Sequence, residues 1–289
     1  MKPKRYINQC PIGCESKTIK TEITTEQGVL EKCDFCHQFF SQCSTDEFNR
    51  SMMEFNVKNG TWPPPENLPN LERSTLKTLK KIEHLMKLKM GDIKLLDVGC
   101  SNGAFIASAK KTGVMCEGVE PAEEAAKAAI KAGLKVHAGY LEQIGLSEKS
   151  FDVISLFEVI EHLKDPVSLL TECNRLLKDD GIMVIRTANT DSWTVRLIKG
   201  KWHYFDINKH GGHVSFFCRH SMKELATKTG FDMVRFDTHS VTFKQKHSSS
   251  KLGYRSAKIF TEILNLPAKL SGNGQEMEVY LKKKSLTPN

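Results

Sequence analysis

The hydrophobic pattern divides the chain into two unlike parts. From residue 93 onward, short apolar runs alternate with helical stretches. Residues 93–98, 115–120, 135–137, 151–156 and 181–186 read as strands. The first of these, with Ile93, Leu95, Leu96 and Val98, is apolar almost throughout, as expected of a strand buried on both faces. Residues 104–111, 122–131 and 166–177 between them read as helices. Strands and helices alternating at this spacing predict a parallel sheet covered on both faces. Upstream, Leu71, Leu76, Leu79, Ile82, Leu85 and Met86 recur at helical spacing within 69–90, with lysines on the other face. Near the end, 222–228 reads as helix, and 231–237 and 276–283 read as strands compatible with an antiparallel pair.

The first part has another rhythm. Residues 18–25 alternate and are rich in β-branched side chains, Gln27-Gly28 can turn, and 29–32 can return as a second strand. Cys10-Pro11-Ile12-Gly13-Cys14 precedes this hairpin and Cys33-Asp34-Phe35-Cys36 closes it. Two cysteine pairs, each on a tight turn and eighteen residues apart, suit a tetrahedral Zn²⁺ site. Cys10, Cys14, Cys33 and Cys36 are therefore the expected ligands of a zinc ribbon, with His37 and Cys43 as bystanders. Four thiolates leave no open coordination position, so the role is structural, and the metal would supply folding energy that so few apolar residues cannot. The alternative is an unstructured arm with free thiols. Residues 44–68, with Trp62-Pro63-Pro64-Pro65, read as a stiff linker whose tryptophan docks on the next domain or closes over a ligand. The expected division is a zinc ribbon over 1–43, a linker over 44–68 and an α/β domain over 69–289.

Composition narrows the picture. The 289 residues accommodate one full α/β domain and a small appendage. Nine cysteines, four of them clustered, favour metal binding over a disulfide framework. No apolar stretch reaches the length of a membrane span, and no apolar core follows the basic Met1-Lys2-Pro3-Lys4-Arg5, so a soluble, cytoplasmic protein is expected. The net charge of +8 permits RNA, a nucleotide-linked substrate or an anionic membrane as partner without requiring one.

The chemistry centres on Leu95-Leu96-Asp97-Val98-Gly99-Cys100-Ser101-Asn102-Gly103-Ala104-Phe105, a strand, a turn and a helix start. Gly99 and Gly103 bracket a turn where backbone swings sharply or approaches a ligand closely. Glu120, followed by Pro121, ends the next strand, where carboxylates of nucleotide-binding α/β folds hydrogen-bond ribose. The dinucleotide fingerprint G-x-G-x-x-G is absent. With Asp97 at the strand end, the pattern resembles the first motif of class I S-adenosylmethionine (SAM) methyltransferases. The resemblance covers residues 70–285. It implies a Rossmann-like, seven-stranded, mostly parallel sheet with helices on both faces, and SAM as cofactor. It further implies that backbone at Gly99 and Cys100 meets the methionine end of SAM and that Glu120 holds the ribose. Ser101 stands where the family has a middle glycine. Leu141 and Glu142, after Tyr140, fall where adenine-flanking residues lie, and Phe157 resembles a cofactor-contacting residue.

Glu158-Val159-Ile160-Glu161-His162 forms an E-x-x-E-H pattern shared with O-methyltransferases of ubiquinone biosynthesis, where it can bind a divalent cation such as Mg²⁺. Glu158, Glu161 and His162 offer oxygen and imidazole ligands within one helical turn. They could equally cap a helix and shape a pocket. In the resembled families the segment containing Lys201-Trp202-His203-Tyr204 and His210-Gly211-Gly212-His213 through Phe217 helps to form the acceptor pocket. His213 is the candidate base, since imidazole titrates near neutrality. Methyl transfer from a sulfonium needs alignment and, for a hydroxyl, removal of a proton, so Cys100 is expected as a small turn residue and not a nucleophile. Residues 241–274 read as an insertion near the substrate side. The favoured acceptor is a hydroxyl of a small molecule or sugar. A second reading is RNA or protein methylation, with the ribbon and basic charge holding the polymer. A third is a non-catalytic adaptor, against which Asp97, Gly99, Gly103 and Glu120 argue.

Overall fold

The computed structural model describes residues 4–59, 69–241 and 262–284. The chain opens with the expected hairpin, β1 (Thr18–Thr25) and β2 (Gly28–Cys33), paired antiparallel from Thr18↔Cys33 to Thr25↔Gly28. A two-residue strand, β3 (Phe39–Phe40), adds to β2. Where a linker was expected, α1 (Thr45–Asn59) forms instead. Its start is a capping box: Ser44 N–H donates to Glu47 Oε2 at 2.7 Å and Glu47 N–H donates back to Ser44 Oγ at 3.2 Å. The Trp62-Pro63-Pro64-Pro65 stretch lies outside the described residues.

Next comes α2 (Pro69–Met86), which buries Leu79 and Ile82 and ends where Lys87 takes a left-handed φ of 56°. The repeating unit follows: β4 (Lys94–Val98), α3 (Ala104–Lys110), β5 (Met115–Glu120), α4 (Glu123–Lys131), β6 (Val136–Ala138), α5 (Leu141–Ile144), β7 (Phe151–Phe157), α6 (Pro166–Leu176) and β8 (Leu177–Ala188). Asp165 caps α6, accepting the Ser168 N–H at 3.0 Å, with Pro166 in the first helical turn. After β8 come α7 (Trp193–Ile198), α8 (Ile207–His210), β9 (Ser215–Phe216), α9 (Arg219–Lys228), β10 (Phe231–His239) and β11 (Glu276–Lys283).

Seven strands make one sheet in the order β10-β11-β8-β7-β4-β5-β6. Strands β6, β5, β4, β7 and β8 run parallel, and β11 and β10 close the edge antiparallel. Strand β7 is buried along nearly its whole length, which explains its mostly apolar sequence, broken by the buried Asp152 and Ser155. One core, including Leu96, Ile154, Leu170, Met183 and Leu225, fills one face; another, with Leu79, Leu95, Val153 and Tyr280, fills the other. The order places β4 beside β7 and reverses there, and in open sheets of this kind the ligand crevice lies beyond the carboxyl ends of such strands.

The ribbon is not set apart from this domain. Strand β3 pairs with β9, so a second sheet runs β1-β2-β3-β9. Ile23 and Leu30 of the hairpin share a core with Val195, Trp202, Tyr204, Phe205 and Phe216. Of the expected insertion at 241–274, residues 242–261 lie outside the described residues. Residues 262–270 are helical, and the turn after them meets the end of β8: Asn189 Nδ2 donates to the carbonyls of Gly272 and Gly274 at 3.2 and 2.9 Å.

Candidate active site

Two clusters meet at the carboxyl ends of the central strands. The first is the loop between β4 and α3. Gly99 and Gly103 have φ of +74° and +79°, and Ser101 between them has +50°. Two of these three left-handed positions are the glycines that tolerate them. A Cβ on Gly99 would lie 2.5 Å from Val159 Cγ2, and one on Gly103 would lie 2.3 Å from Leu134 Cδ1. Backbone must pass here in close contact with the neighbouring turns. The loop is tied down by N–H groups of Gly99 and Cys100, which both donate to Val119 O. Cys100 is buried, with its sulfur against Gly118, where a Cβ would lie 2.5 Å from it. Burial, together with the nearby Asp97 and Glu120 charges, pushes the Cys100 thiol up, so it is not a nucleophile at neutral pH.

Glu120 ends β5 with 7% of its surface exposed. Its Oε2 accepts the Ser101 N–H and its Oε1 the Ala122 N–H, both at 2.7 Å. Each oxygen retains a second lone pair. Burial raises its pKa while the two backbone donors oppose the shift. Asp97 lies beneath the loop, register-paired with Ser155 of β7, whose hydroxyl donates to Asp97 Oδ1 at 2.6 Å. Burial pushes the Asp97 pKa up to about 7. Phe157, at the end of β7, meets Phe105 edge-on at 4.7 Å and carries the Arg186 guanidinium 4.3 Å above its ring.

The second cluster grows from the turn after β7. Glu158 takes a left-handed φ of 56°, uncommon for a non-glycine residue and a form of strain that gathers at functional sites. Its residue surface is open to solvent while its carboxylate reaches Tyr204, whose hydroxyl lies 3.0 Å from Glu158 Oε2 and also hydrogen-bonds Glu161 Oε1. Thr187 Oγ1 donates to Glu161 Oε2 at 3.0 Å. Desolvation and the charge of Glu161 raise Glu158 well above the usual carboxylate range; burial raises Glu161 as well. Two carboxyl groups sharing one hydroxyl do not both ionise readily.

His213 stands behind this pair, 4% exposed. Its Nδ1 lies 3.0 Å from the Tyr204 carbonyl, which can only accept, so Nδ1 carries the proton and Nε2 the lone pair. Nε2 is 3.8 Å from Glu161 Oε1. Burial, with His162 and His210 beside it, pulls the His213 pKa well below its ordinary value. His210 stacks on His213 at 5.0 Å and hydrogen-bonds His203 at 2.9 Å. Glu161, His162 and His213 bring one potential ligand atom each to within 4.8 Å of one another.

A third cluster lies in the ribbon. The sulfurs of Cys10, Cys14, Cys33 and Cys36 all fall within 4.8 Å of one another, and Cys10 and Cys36 are 3.5 Å apart. A tetrahedral ion with Zn–S bonds of about 2.3 Å sets its sulfurs about 3.8 Å apart, so these residues fit a zinc ion. The donor set, four thiols with no disulfide among them, is also that of structural zinc. Cys43 packs separately with Phe40 and Val214, and His37 packs against His220.

The structure thus brings Asp97, Gly99, Cys100, Ser101, Gly103, Glu120 and Phe157 to one crevice. Leu141 is buried in the main core, so its side chain is committed to packing; Glu142 and Pro121 are exposed. The sequence does not single out Tyr204 and Thr187 as members of the polar network. Tyr204 belongs to the segment expected to form the acceptor pocket; its separation of more than forty residues from Glu158 and Glu161 hides the hydrogen bonds.

Comparison with known proteins agrees with this architecture. The methyltransferase-domain family model matches residues 70–235. The ubiquinone biosynthesis O-methyltransferase of Haemophilus ducreyi is 34% identical over 107 residues, covering 33% of this chain and 45% of that protein. Its counterpart from Cereibacter sphaeroides is 30% identical over 152 residues, covering 49% of this chain and 61% of that protein. The chain therefore spans about half the length of these curated relatives. A SAM-dependent methyltransferase structure from Thermotoga maritima superposes with a TM-score of 0.52 at 23% identity, covering 83% of this chain and 99% of that one. The chain belongs to the class I SAM-dependent methyltransferases. Among the described residues no helix is long and apolar enough to cross a membrane.

Proposed function

We propose that this protein transfers a methyl group from SAM to a hydroxyl of a small molecule or sugar. The observation that carries the reading is the Gly99–Gly103 loop joined to Glu120 at the open ends of β4 and β5. The left-handed glycines pack the loop tightly onto Val159 and Leu134 and so fix its backbone, and Glu120 keeps a free lone pair on each oxygen. Those residues suit a nucleoside bound by its ribose, with backbone of Gly99 and Cys100 beside the amino-acid end. Bound SAM supplies an electrophilic methyl carbon on a good leaving group.

The chain's own residues then have two tasks. The glycine loop, Glu120 and Phe157 hold the donor end in line with the acceptor. The Glu158–Tyr204–Glu161–His213 cluster receives the acceptor's proton. Glu158 is the member whose residue surface is open to solvent, with its carboxylate on the Tyr204 hydroxyl, so it is the proton acceptor that an incoming hydroxyl meets first. His213, candidate base on sequence grounds, is buried behind it; its Nε2 faces Glu161, so it steadies or relays the proton from the second layer. Of the expected cation ligands, Glu161 and His162 are joined by His213 and not by Glu158. These three would hold a divalent cation, with two imidazoles making a donor set softer than Mg²⁺ prefers, and the ion would polarise a hydroxyl oxygen. The four ribbon cysteines hold zinc in a structural role. The partial likeness to ubiquinone-biosynthesis O-methyltransferases favours a small acceptor over RNA or protein. The test is incubation of the protein with methyl-labelled SAM and a cell extract, followed by size fractionation. Label in small molecules supports the reading; label confined to RNA or protein overturns it.

A further inference from the structure

The ribbon and the acceptor side of the crevice share a set of hydrogen bonds that converge on the backbone and side chains flanking His213. Gln38 lies two residues beyond Cys36, and its carbonyl accepts the Cys33 N–H at 2.9 Å, closing the second cysteine turn. Its side chain is fully buried, and Nε2 donates to Ser215 Oγ at 2.7 Å. Ser215 is register-paired with Phe40 and stands two residues after His213. Between them, Val214 O accepts the Ser41 N–H at 2.8 Å, while Val214 N–H donates to Glu161 O at 2.9 Å. From α1, Ser51 Oγ donates to Ile207 O at 2.5 Å and accepts the Gly212 N–H at 2.9 Å. The His213 segment is therefore gripped by the ribbon, by α1 and by the turn that carries Glu161.

Gln38 is an expensive residue for that place. Its Oε1 is buried without a protein partner. An apolar side chain of similar length would leave no such orphan. What the carboxamide adds is its NH₂ group on Ser215.

We propose that Gln38 is a positioning residue that ties the four-cysteine site to His213, so that the metal held by the ribbon fixes the acceptor side of the crevice and not the cofactor side. The inference rests on the reading that the His213 cluster serves the acceptor. The cofactor loop is secured independently, by Val119 O and by Glu120.

The test compares zinc-loaded wild type, the same protein stripped by a chelator, and zinc-loaded Gln38→Met. Zinc content, S-adenosylhomocysteine affinity, amide hydrogen exchange and the imidazole ¹⁵N spectrum of His213 are measured on each. Stripping is expected to leave the affinity within about twofold while amides of residues 211–218 exchange at least about tenfold faster. Gln38→Met is expected to keep its zinc and its affinity, to speed exchange in the same segment about fivefold or more, and to turn the Nδ1-protonated His213 spectrum into a tautomer mixture. Ser215→Ala, which removes the same bond from the other side, is expected to reproduce both effects and serves if Gln38→Met does not fold. The proposal is overturned if both variants leave the His213 spectrum and the exchange of 211–218 at wild-type values, or if stripping weakens the affinity in step with the exchange. Absence of S-adenosylhomocysteine binding to the zinc-loaded wild type would sink the cofactor reading alone; the exchange and ¹⁵N measurements would still decide this one.

Discussion

The Glu120 carboxylate holds the Ser101 N–H at 2.7 Å, bridging the end of β5 to the middle of the glycine loop. One residue thereby shapes the loop and offers its remaining lone pairs to the crevice. Glu120→Ala leaves the Ser101 and Ala122 N–H groups without their acceptor and removes the carboxylate proposed to hold the ribose. It is expected to weaken S-adenosylhomocysteine about 10- to 100-fold, the loss of one to two charge-assisted hydrogen bonds. Calorimetric titration checks this, and an unchanged affinity would refute the role.

Gly99 admits no side chain. Its φ of +74° and the 2.5 Å approach of Val159 Cγ2 to an added Cβ predict that Gly99→Ala costs about 1–3 kcal/mol of stability. Equilibrium denaturation measures it. Gly133 also has positive φ, +76°, but nothing within 4 Å of an added Cβ, so Gly133→Ala serves as a control with backbone strain alone and a smaller loss.

Asp97 gives the protein a pH dependence of definite sign. Its pKa is about 7 when folded against 3.8 as the ordinary value. Below about pH 4 both forms are protonated and the group contributes nothing. Between about pH 4 and 7 the unfolded chain gives up this proton while the folded chain keeps it, so stability falls as pH rises, by at most about 4 kcal/mol, and then levels off. Asp97→Asn keeps an acceptor for the Ser155 hydroxyl and removes the titration. The variant is expected to melt near wild type at pH 4 and above it at pH 8. Parallel melting curves across that range would contradict the burial argument.

Removing two ribbon ligands tests the metal site. Cys33→Ser with Cys36→Ser is expected to abolish zinc binding and to lower the melting temperature, since ligand binding to the folded state is itself folding energy. Metal analysis showing zinc retained, or a melting temperature unchanged by its loss, would rule out a structural zinc ribbon.

Much of this arrangement was legible in the sequence because it is local. The apolar run Leu95-Leu96 with Gly99 and Gly103 specifies strand, turn and helix within a dozen positions, and the paired cysteines specify two tight turns around a hairpin. What was not legible arises between distant segments. Helix α1 reads as linker in the sequence because its apolar residues are few, although Ser44 and Glu47 carry the capping-box signature that marks its start. Its value lies in contacts no pattern shows: Met52 and Phe55 pack on Gly212 and Gly211, where added Cβ atoms would lie 2.5 and 2.3 Å from them. The pairing of Phe39 with Phe216 and the bonds from Tyr204 to Glu158 and Glu161 have the same character. Two-residue strands carry too little periodicity to announce a partner, so the union of ribbon and acceptor segment emerges only from the folded chain.

The central claim is that the crevice between the glycine loop and Glu120 binds the sulfonium nucleoside. Calorimetric titration of S-adenosylhomocysteine into wild type and Glu120→Ala tests it most directly. The account predicts one site per chain with a dissociation constant below about 100 μM in wild type, weakened at least about tenfold in the variant. No binding to folded wild type at about 1 mM, or equal binding by both proteins, would contradict it.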